Sequence, residues 1–223
     1  MEDVRIIEVK QSVFADNDAD AALLRQQLKA EKTFLLNIMS SPGAGKTTLL
    51  KQLASRLGRK LRFAVMEADI DSDVDARAMR AIGVDSIQIH TGGMCHLDAD
   101  MTRQGLAELG SRNYDLVILE NVGNLVCPAE FDTGAVKNMT ILSVPEGHDK
   151  PLKYPLMYQR CQLLVINKTD VMPYFDFDPE KVIAYAKLRN PDIEVCFVSA
   201  KTGEGVDQVA DWIEKNTMEW NKA

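Results

Sequence analysis

Phe34-Leu35-Leu36-Asn37-Ile38-Met39, then Ser40-Ser41-Pro42-Gly43-Ala44-Gly45-Lys46-Thr47-Thr48, then the helical run Leu49–Leu57, is the stretch that decides the fold. An apolar strand, a glycine-rich loop and a helix in that order form a phosphate-binding loop. The glycines let the backbone turn its N–H groups inward, and the helix N-terminus adds partial positive charge toward a bound anion. Lys46 is placed to reach the β- and γ-phosphates, and the Thr47 hydroxyl to hold Mg²⁺. Gly43, Ala44, Gly45, Lys46, Thr47 and Thr48 are the expected phosphate contacts. The first glycine of the usual G-x-x-x-x-G-K-[ST] pattern is replaced by Ser40, which reads as the marker of a subclass.

Outward from this loop, strand-like runs recur at Arg62–Glu67, Ser86–His90, Leu116–Glu120, Thr140–Val144, Leu163–Ile166 and Val195–Val198. Near-continuous Val, Ile and Leu runs alternating with amphipathic segments predict an α/β P-loop NTPase. Its mostly parallel sheet has about seven strands, helices on both faces and ligands at the strands' C-terminal ends. A helix is expected over Asp16–Lys32, with Ala22, Leu23 and Leu28 on its apolar side, and another from Val206 to Ala223 through Val209, Trp212 and Ile213. The organisation expected is an N-terminal extension, residues 1–33, packed on a G domain, residues 34–223.

The 223 residues suit one such domain with a substantial core, and 46% hydrophobic with 26% charged residues is ordinary for a globular protein. A net charge of −7 argues against nucleic acid as a partner, since phosphate backbones want a basic face. No apolar stretch approaches a membrane span. Met1-Glu2-Asp3-Val4-Arg5 lacks the basic start and apolar core of a signal peptide, so a cytoplasmic location is expected. The four cysteines are scattered, and in a reducing compartment ligand or core roles outrank disulfides.

A second signal fixes the nucleotide. The apolar run Cys161–Ile166 ends in Asn167-Lys168-Thr169-Asp170, which resembles the guanine-reading element of GTPases. A carboxylate at Asp170 can accept from both N1–H and the exocyclic N2–H of guanine, donors that adenine does not offer together. Ser199-Ala200-Lys201, after Val195–Val198, resembles the companion loop whose backbone N–H reads guanine O6. GTP over ATP is the reading.

Two acidic strand ends lie between these motifs. Val65-Met66-Glu67-Ala68-Asp69 runs into Asp71, Asp73 and Asp75, and Glu120-Asn121-Val122-Gly123 stands where small GTPases carry Asp-x-x-Gly. Asp69 and Glu120, at strand ends facing the phosphates, could bind Mg²⁺ directly or through water, or orient the attacking water. Asp71, Asp73 and Asp75 read more simply as a solvated acidic turn and helix start.

Gly92-Gly93-Met94-Cys95-His96-Leu97 follows one strand, and Asn121–Pro128, containing Cys127, follows another. Both leave C-terminal strand ends, so they can converge beside the acidic segment. Thiolate with imidazole suits Zn²⁺ or Ni²⁺ rather than Mg²⁺. Three side chains fall short of a closed tetrahedral site, which leaves a fourth ligand to water or a second subunit.

Ser41–Thr48, Gly93–Leu97, Glu120–Pro128, Lys150-Pro151-Leu152-Lys153-Tyr154-Pro155 and Asn167–Asp170, in this order, resemble the HypB family, GTPases that help load nickel into [NiFe]-hydrogenases. The similarity runs from about Phe34 to the end. It implies a homodimeric P-loop GTPase of the signal-recognition/MinD-like class, with GTP or GDP, Mg²⁺, and Ni²⁺ or Zn²⁺ as ligands. It also implies a nickel-delivery accessory protein of the same pathway and the hydrogenase large subunit precursor as partners. Carried over residue by residue, it assigns Cys95, His96 and Cys127 to the transition metal. Thr47, Asp69 and Glu120 go to Mg²⁺, and Lys46, Asp69, Asp75 and Glu120 to hydrolysis.

Some family members carry an N-terminal cysteine motif or a histidine-rich tract. Here no cysteine precedes Cys95 and the sequence holds three histidines, so bulk nickel storage is not expected. His148 is expected as a solvated side chain in a mobile loop, and Cys161 and Cys196 as core residues. Competing readings are a urease-accessory GTPase, whose metal motif is usually Cys-Pro-His, a metal buffer with structural nucleotide, and a GTPase serving a cobalamin-dependent mutase. No arginine finger or catalytic glutamine stands out, which predicts slow intrinsic turnover.

Overall fold

The apolar runs form seven strands: β1 (Phe34–Ser40), β2 (Phe63–Asp69), β3 (Asp85–His90), β4 (Leu116–Glu120), β5 (Lys137–Ser143), β6 (Leu163–Asn167) and β7 (Glu194–Phe197). In the computed structural model, which describes residues 9–69 and 79–222, they pair in the order β3-β2-β4-β1-β5-β6-β7. All six pairings are parallel. Asp71, Asp73 and Asp75 lie outside the described residues, as does the side chain of Asp69.

Parallel strands are buried on both faces, and their sequences show it. On one face Phe34, Leu36 and Ile38 of β1 pack with Leu49, Leu50, Leu53 and Leu57 of α2 (Lys46–Leu57) and with Val209 and Ile213 of α8 (Val206–Lys222). The opposite face has two clusters. Leu35, Met66 and Leu119 meet Leu24 and Leu28 of α1 (Val9–Glu31) and Leu106 of α3 (Ala99–Leu109). Met39, Leu142, Leu164 and Ile166 meet Met157 and Tyr158 of α6 (Pro155–Arg160) and Val182 and Ala186 of α7 (Pro179–Arg189). Short helices α4 (Cys127–Glu130) and α5 (Lys150–Lys153) complete the series. Leu53 is fully buried, so Leu53→Ala would cost about 2–5 kcal/mol. No described helix is long and apolar enough to cross a membrane.

Two elements depart from expectation. The buried stripe of α1 is Ala21, Leu24 and Leu28, while Ala22 and Leu23 face solvent. Polar contacts set that phase: Asn17 and Arg25 also point inward, where Asn17 Nδ2 donates to Asp132 O (3.0 Å) and Arg25 pairs with the Asp132 carboxylate. Strand β5 starts at Lys137, three residues before its apolar run, because Leu36–Ser40 of β1 pairs with Lys137–Ile141. It stops at Ser143, where the Glu146 carboxylate accepts from both Ser143 N (2.8 Å) and Ser143 Oγ (2.7 Å) and folds Val144 into a turn.

β1 is the centre of the sheet. Its successor on one side is β4 and on the other β5, so the loop leaving β1 opens into the crevice where strand order reverses.

Candidate functional site

The loop Ser40–Gly45 wraps the C-terminal end of β1 and feeds α2. Gly45 caps the helix at φ 100°, ψ 30°, a left-handed conformation that side chains rarely adopt. A Cβ there would also stand 2.5 Å from Asn167 Nδ2. Two independent constraints therefore fix glycine at 45. Lys46 Nζ donates to Ser40 Oγ at 3.1 Å and lies 3.8 Å from Glu120 Oε1. Ser40 Oγ in turn donates to Ser41 O at 2.8 Å. The serine in the first-glycine position thus gives Lys46 a hydroxyl acceptor that glycine lacks.

A cleft of about 430 Å³ opens over this loop, lined by Lys46, Thr47, Glu67, Gln88, Glu120 and Asn121 among others. Parallel register aligns three of these: Gln88 of β3 lies beside Glu67 of β2, and Glu67 beside Glu120 of β4. Glu67 is 3% and Glu120 5% exposed. A lysine ammonium, a threonine hydroxyl and buried carboxylate oxygens suit a phosphate chain with a hard cation, the donor chemistry Mg²⁺ prefers. Thr48 is exposed on the first turn of α2. Gly123 lets the segment after β4 approach the loop: a Cβ at 123 would sit 3.3 Å from Pro42 backbone and ring atoms.

The loop after β6 is fastened to the phosphate loop. Asn167 Nδ2 donates to Ala44 O (2.9 Å) and Lys168 Nζ to Gly43 O (2.7 Å). Asn167 Oδ1 accepts from Ala200 N (3.0 Å), which brings in the loop after β7. Ser199 Oγ donates to Asp170 Oδ1 at 2.7 Å. Lys201 is exposed at the rim. Seven residues predicted from three separated stretches, Gly43, Ala44, Asn167, Lys168, Asp170, Ser199 and Ala200, are therefore one unit, with Ala200 N joining the Ser199 loop to Asn167.

The Cys95-His96 and Cys127 segments also meet, more loosely. Thr91 Oγ1 donates to Met94 O (2.7 Å), closing a tight turn that presents Cys95. Cys95 Sγ lies 4.0 Å from His96 Nδ1. The Cys127 thiol is hydrogen-bonded to Cys95, and this contact, with burial, pushes the thiol up from its ordinary range. The His96 ring stacks on Phe131 with centroids 3.7 Å apart and planes 9° apart, and burial lowers its pKa, favouring neutral imidazole. Among the described residues, no three His, Cys, Asp or Glu side chains converge tightly enough to hold a metal ion alone. Met94 and Val126, exposed beside the two thiols, border this side of the molecule.

Sequence reasoning assigned the β2 carboxylate to Asp69 and overlooked Glu67 and Gln88. A carboxylate in the otherwise apolar Phe63–Ala68 was the available signal for Glu67; Gln88 needed the strand register. Asn17 was missed as well: its amide joins both metal-side segments, accepting from Ala99 N (3.0 Å) after His96 and donating to Asp132 O after Cys127. His148 is not a solvated side chain. It is half-buried, accepts from Asp178 N at 3.2 Å and meets Phe177 edge-on, anchoring the start of α7. Cys161 is fully buried and Cys196 packs against the core; burial raises both thiols.

Comparison with known proteins agrees with this arrangement. A family model described as CobW/HypB/UreG, nucleotide-binding domain, matches residues 34–197. The hydrogenase maturation factor HypB of Azotobacter vinelandii is 49% identical over 211 residues, covering 95% of this chain and 70% of that protein. The crystal structure of HypB from Helicobacter pylori in complex with nickel superposes with a TM-score of 0.86 at 36% identity, over 92% of this chain and 96% of that one. The signal recognition particle receptor FtsY of Elizabethkingia anophelis, in complex with GDP, shares the fold at a TM-score of 0.54 and 13% identity, covering 92% of this chain and 77% of that one. With the phosphate loop, the Asn-Lys-Thr-Asp loop and the Cys/His segments all in place, the chain belongs to the HypB family of hydrogenase maturation factors.

Proposed function

We propose that the protein binds and hydrolyses GTP in the cleft over Lys46 and couples that cycle to a Ni²⁺ or Zn²⁺ site at Cys95, His96 and Cys127. The observation that carries the GTP reading is the clamp of Asn167 and Lys168 on the carbonyls of Ala44 and Gly43. It ties the base-reading loop to the phosphate loop, so the distance from guanine to γ-phosphate is set by protein hydrogen bonds. Ser199 orients Asp170 so that its carboxylate can accept N1–H and N2–H of guanine.

Lys46 moves from Ser40 and Glu120 onto the β- and γ-phosphates, where its charge counters that developing in phosphoryl transfer. Thr47 and Glu120, with Asp69, would hold Mg²⁺, which would supply positive charge against that of the phosphate chain. Glu120 or Glu67 orients the attacking water. Asp75 belongs to the same acidic segment and carries the remaining hydrolytic role.

Nickel is cargo in this scheme. Two thiolates and an imidazole match its preference, and the incomplete convergence within one chain leaves the coordination sphere to be closed across a homodimer. Residues 1–33 are an N-terminal extension to the G domain, residues 34–223, and its described part, α1, packs Leu24 and Leu28 on the sheet. The partners are a nickel-delivery accessory protein and the large subunit precursor of a [NiFe]-hydrogenase, and the destination of the metal is that enzyme's active centre.

Phosphate release with GTP and with ATP, at fixed Mg²⁺ and with particle mass followed in parallel, tests the enzyme part of this reading. GTP turnover that ATP does not support, with mass rising toward a dimer in a GTP analogue, is expected. Equal use of ATP would overturn it.

A further inference from the structure

Asparagine is a poor strand residue, and its amide is expensive to bury unless both ends are bonded. Yet Asn37 sits in the middle of β1, 2% exposed, with Asn121 at the end of β4 0% exposed beside it and Asn138 of β5 on the other side. Their amides form a chain with one direction. Asn138 Nδ2 donates to Arg160 O (3.2 Å) and Asn37 Nδ2 to Asn138 Oδ1 (3.0 Å). Asn121 Nδ2 donates to Asn37 Oδ1 (3.2 Å), and Asn121 Oδ1 accepts from Val122 N (2.9 Å). The backbone of Asn121 is held too, its N–H donating to Ile38 O at 2.9 Å.

We infer that Asn37 is a positioning residue for the hydrolytic segment Glu120–Gly123, acting through Asn121 and braced from the far side by Asn138. The inference rests on the GTPase reading above and extends it to residues that touch neither nucleotide nor metal. Asn121 lies between Glu120, which faces Lys46, and Gly123, which packs on Pro42. Fixing its side chain and its N–H fixes where β4 ends. Phosphoryl transfer depends on carboxylate placement to within a fraction of an ångström. A hydrophobic residue at 37 would pack as well in a parallel strand, so the buried amide there has a job other than burial. Directionality makes the chain cooperative: each amide satisfies the next. Removing the Asn37 amide takes the partner from both Asn138 Oδ1 and Asn121 Nδ2, and removing the Asn138 amide takes the acceptor from the buried Asn37 Nδ2.

The test compares parent with Asn37→Leu, Asn138→Leu and the double variant. Single-turnover GTP hydrolysis, GDP affinity and amide exchange over residues 119–126 are measured for each. Each single change is expected to slow hydrolysis by about tenfold, the effect of an unsatisfied buried amide, with GDP affinity within about twofold of parent because the phosphate and guanine contacts are untouched. The double variant is expected to be no slower than the worse single one, since the chain is already broken. Faster exchange at Val122 should accompany the loss. Folded Asn37→Leu with parent turnover overturns the inference, as does equal loss of GDP affinity, or two losses that simply add. If Asn37→Leu does not fold, Asn138→Leu, on the half-exposed end of the chain, decides alone. A parent that binds GDP and hydrolyses no GTP removes the GTPase reading. The exchange arm then decides the positioning role: unchanged protection at Val122 in Asn37→Leu overturns it.

Discussion

The two halves of the candidate site are built differently. On the nucleotide side, loops from β1, β6 and β7 are tied by hydrogen bonds of 2.7–3.0 Å between residues more than 30 positions apart. On the metal side, Cys95, His96 and Cys127 meet only pairwise, and the histidine is held by stacking on Phe131 rather than aimed at the thiols. The first half is tied together within one chain; in the second, no three metal-ligating side chains converge among the described residues. A site finished by its own chain binds whenever ligand is present. A site left short of ligands binds only when something else, a second subunit or an ordered hydrolytic segment, supplies the rest, which is how a nucleotide state can govern a metal.

The largest effect should come from the finished half. Lys46→Ala removes the one lysine among the described residues that line the cleft and should lower GTP hydrolysis by on the order of 10³-fold, with the fold intact by circular dichroism. A folded variant at parent rate would take the phosphate loop out of the mechanism. Next is Asp170→Asn, which exchanges two carboxylate acceptors for one acceptor and one donor. Losing one charged hydrogen bond to guanine should weaken GTP by about 10²-fold and turn preference toward xanthine nucleotide, read by competition with labelled GDP. Unchanged guanine preference would mean that the clamp organises the loop but does not read the base.

The same contrast explains what was legible in the sequence. Strands of a buried parallel sheet announce themselves as Val/Ile/Leu runs, and a phosphate loop needs its residues contiguous, so Phe34–Thr48 could be read directly. The proposed guanine-reading loop, Asn167–Asp170, is also contiguous. Residues that matter through register were hidden: Glu67 and Gln88 align with Glu120 only because β2 lies between β3 and β4. Asn37 looks like a flaw in a strand until its neighbours are known. In α1 the expected Leu28 is buried, but Ala21 and Leu24 take the places expected for Ala22 and Leu23, because the four residues 21–24 are consecutive and all apolar. Its phase is set by Asn17 and Arg25 reaching Asp132, which no periodicity reveals.

The incomplete half should respond to the complete one. Calorimetric titration of Ni²⁺ and Zn²⁺ in GDP and in a non-hydrolysable GTP analogue is expected to give affinities differing by about tenfold, a typical coupling of 1–3 kcal/mol. By reciprocity the metal must change nucleotide affinity by the same factor. Cys95→Ala/Cys127→Ala should abolish the metal isotherm and leave GDP binding at parent level. Equal metal affinity in both nucleotide states would leave a metal site without a switch, and full binding by the double variant would dissolve the site.

The smallest effect sharpens the comparison at His96, which is held by a ring rather than by a hydrogen-bonded turn. Phe131→Leu removes the ring on which His96 stacks and keeps an apolar residue in its place. A stacked pair contributes about 0.5–1.5 kcal/mol, so metal affinity should fall by about three- to tenfold while GTP hydrolysis without metal is unchanged. The pH dependence has a definite sign. Burial now lowers the His96 pKa, which keeps the imidazole neutral and able to ligate at neutral pH. With the ring gone the histidine is better solvated and its pKa rises toward the ordinary value near 6.5. Proton competition then starts at higher pH, so the affinity deficit of Phe131→Leu should widen as pH falls toward that value and narrow above it. Nuclear magnetic resonance titration of His96 in the metal-free protein reads the shift directly. A histidine pKa unmoved by Phe131→Leu, with parent metal affinity, would show that the stack contributes nothing and that this half of the site is no more pre-set at His96 than at its thiols.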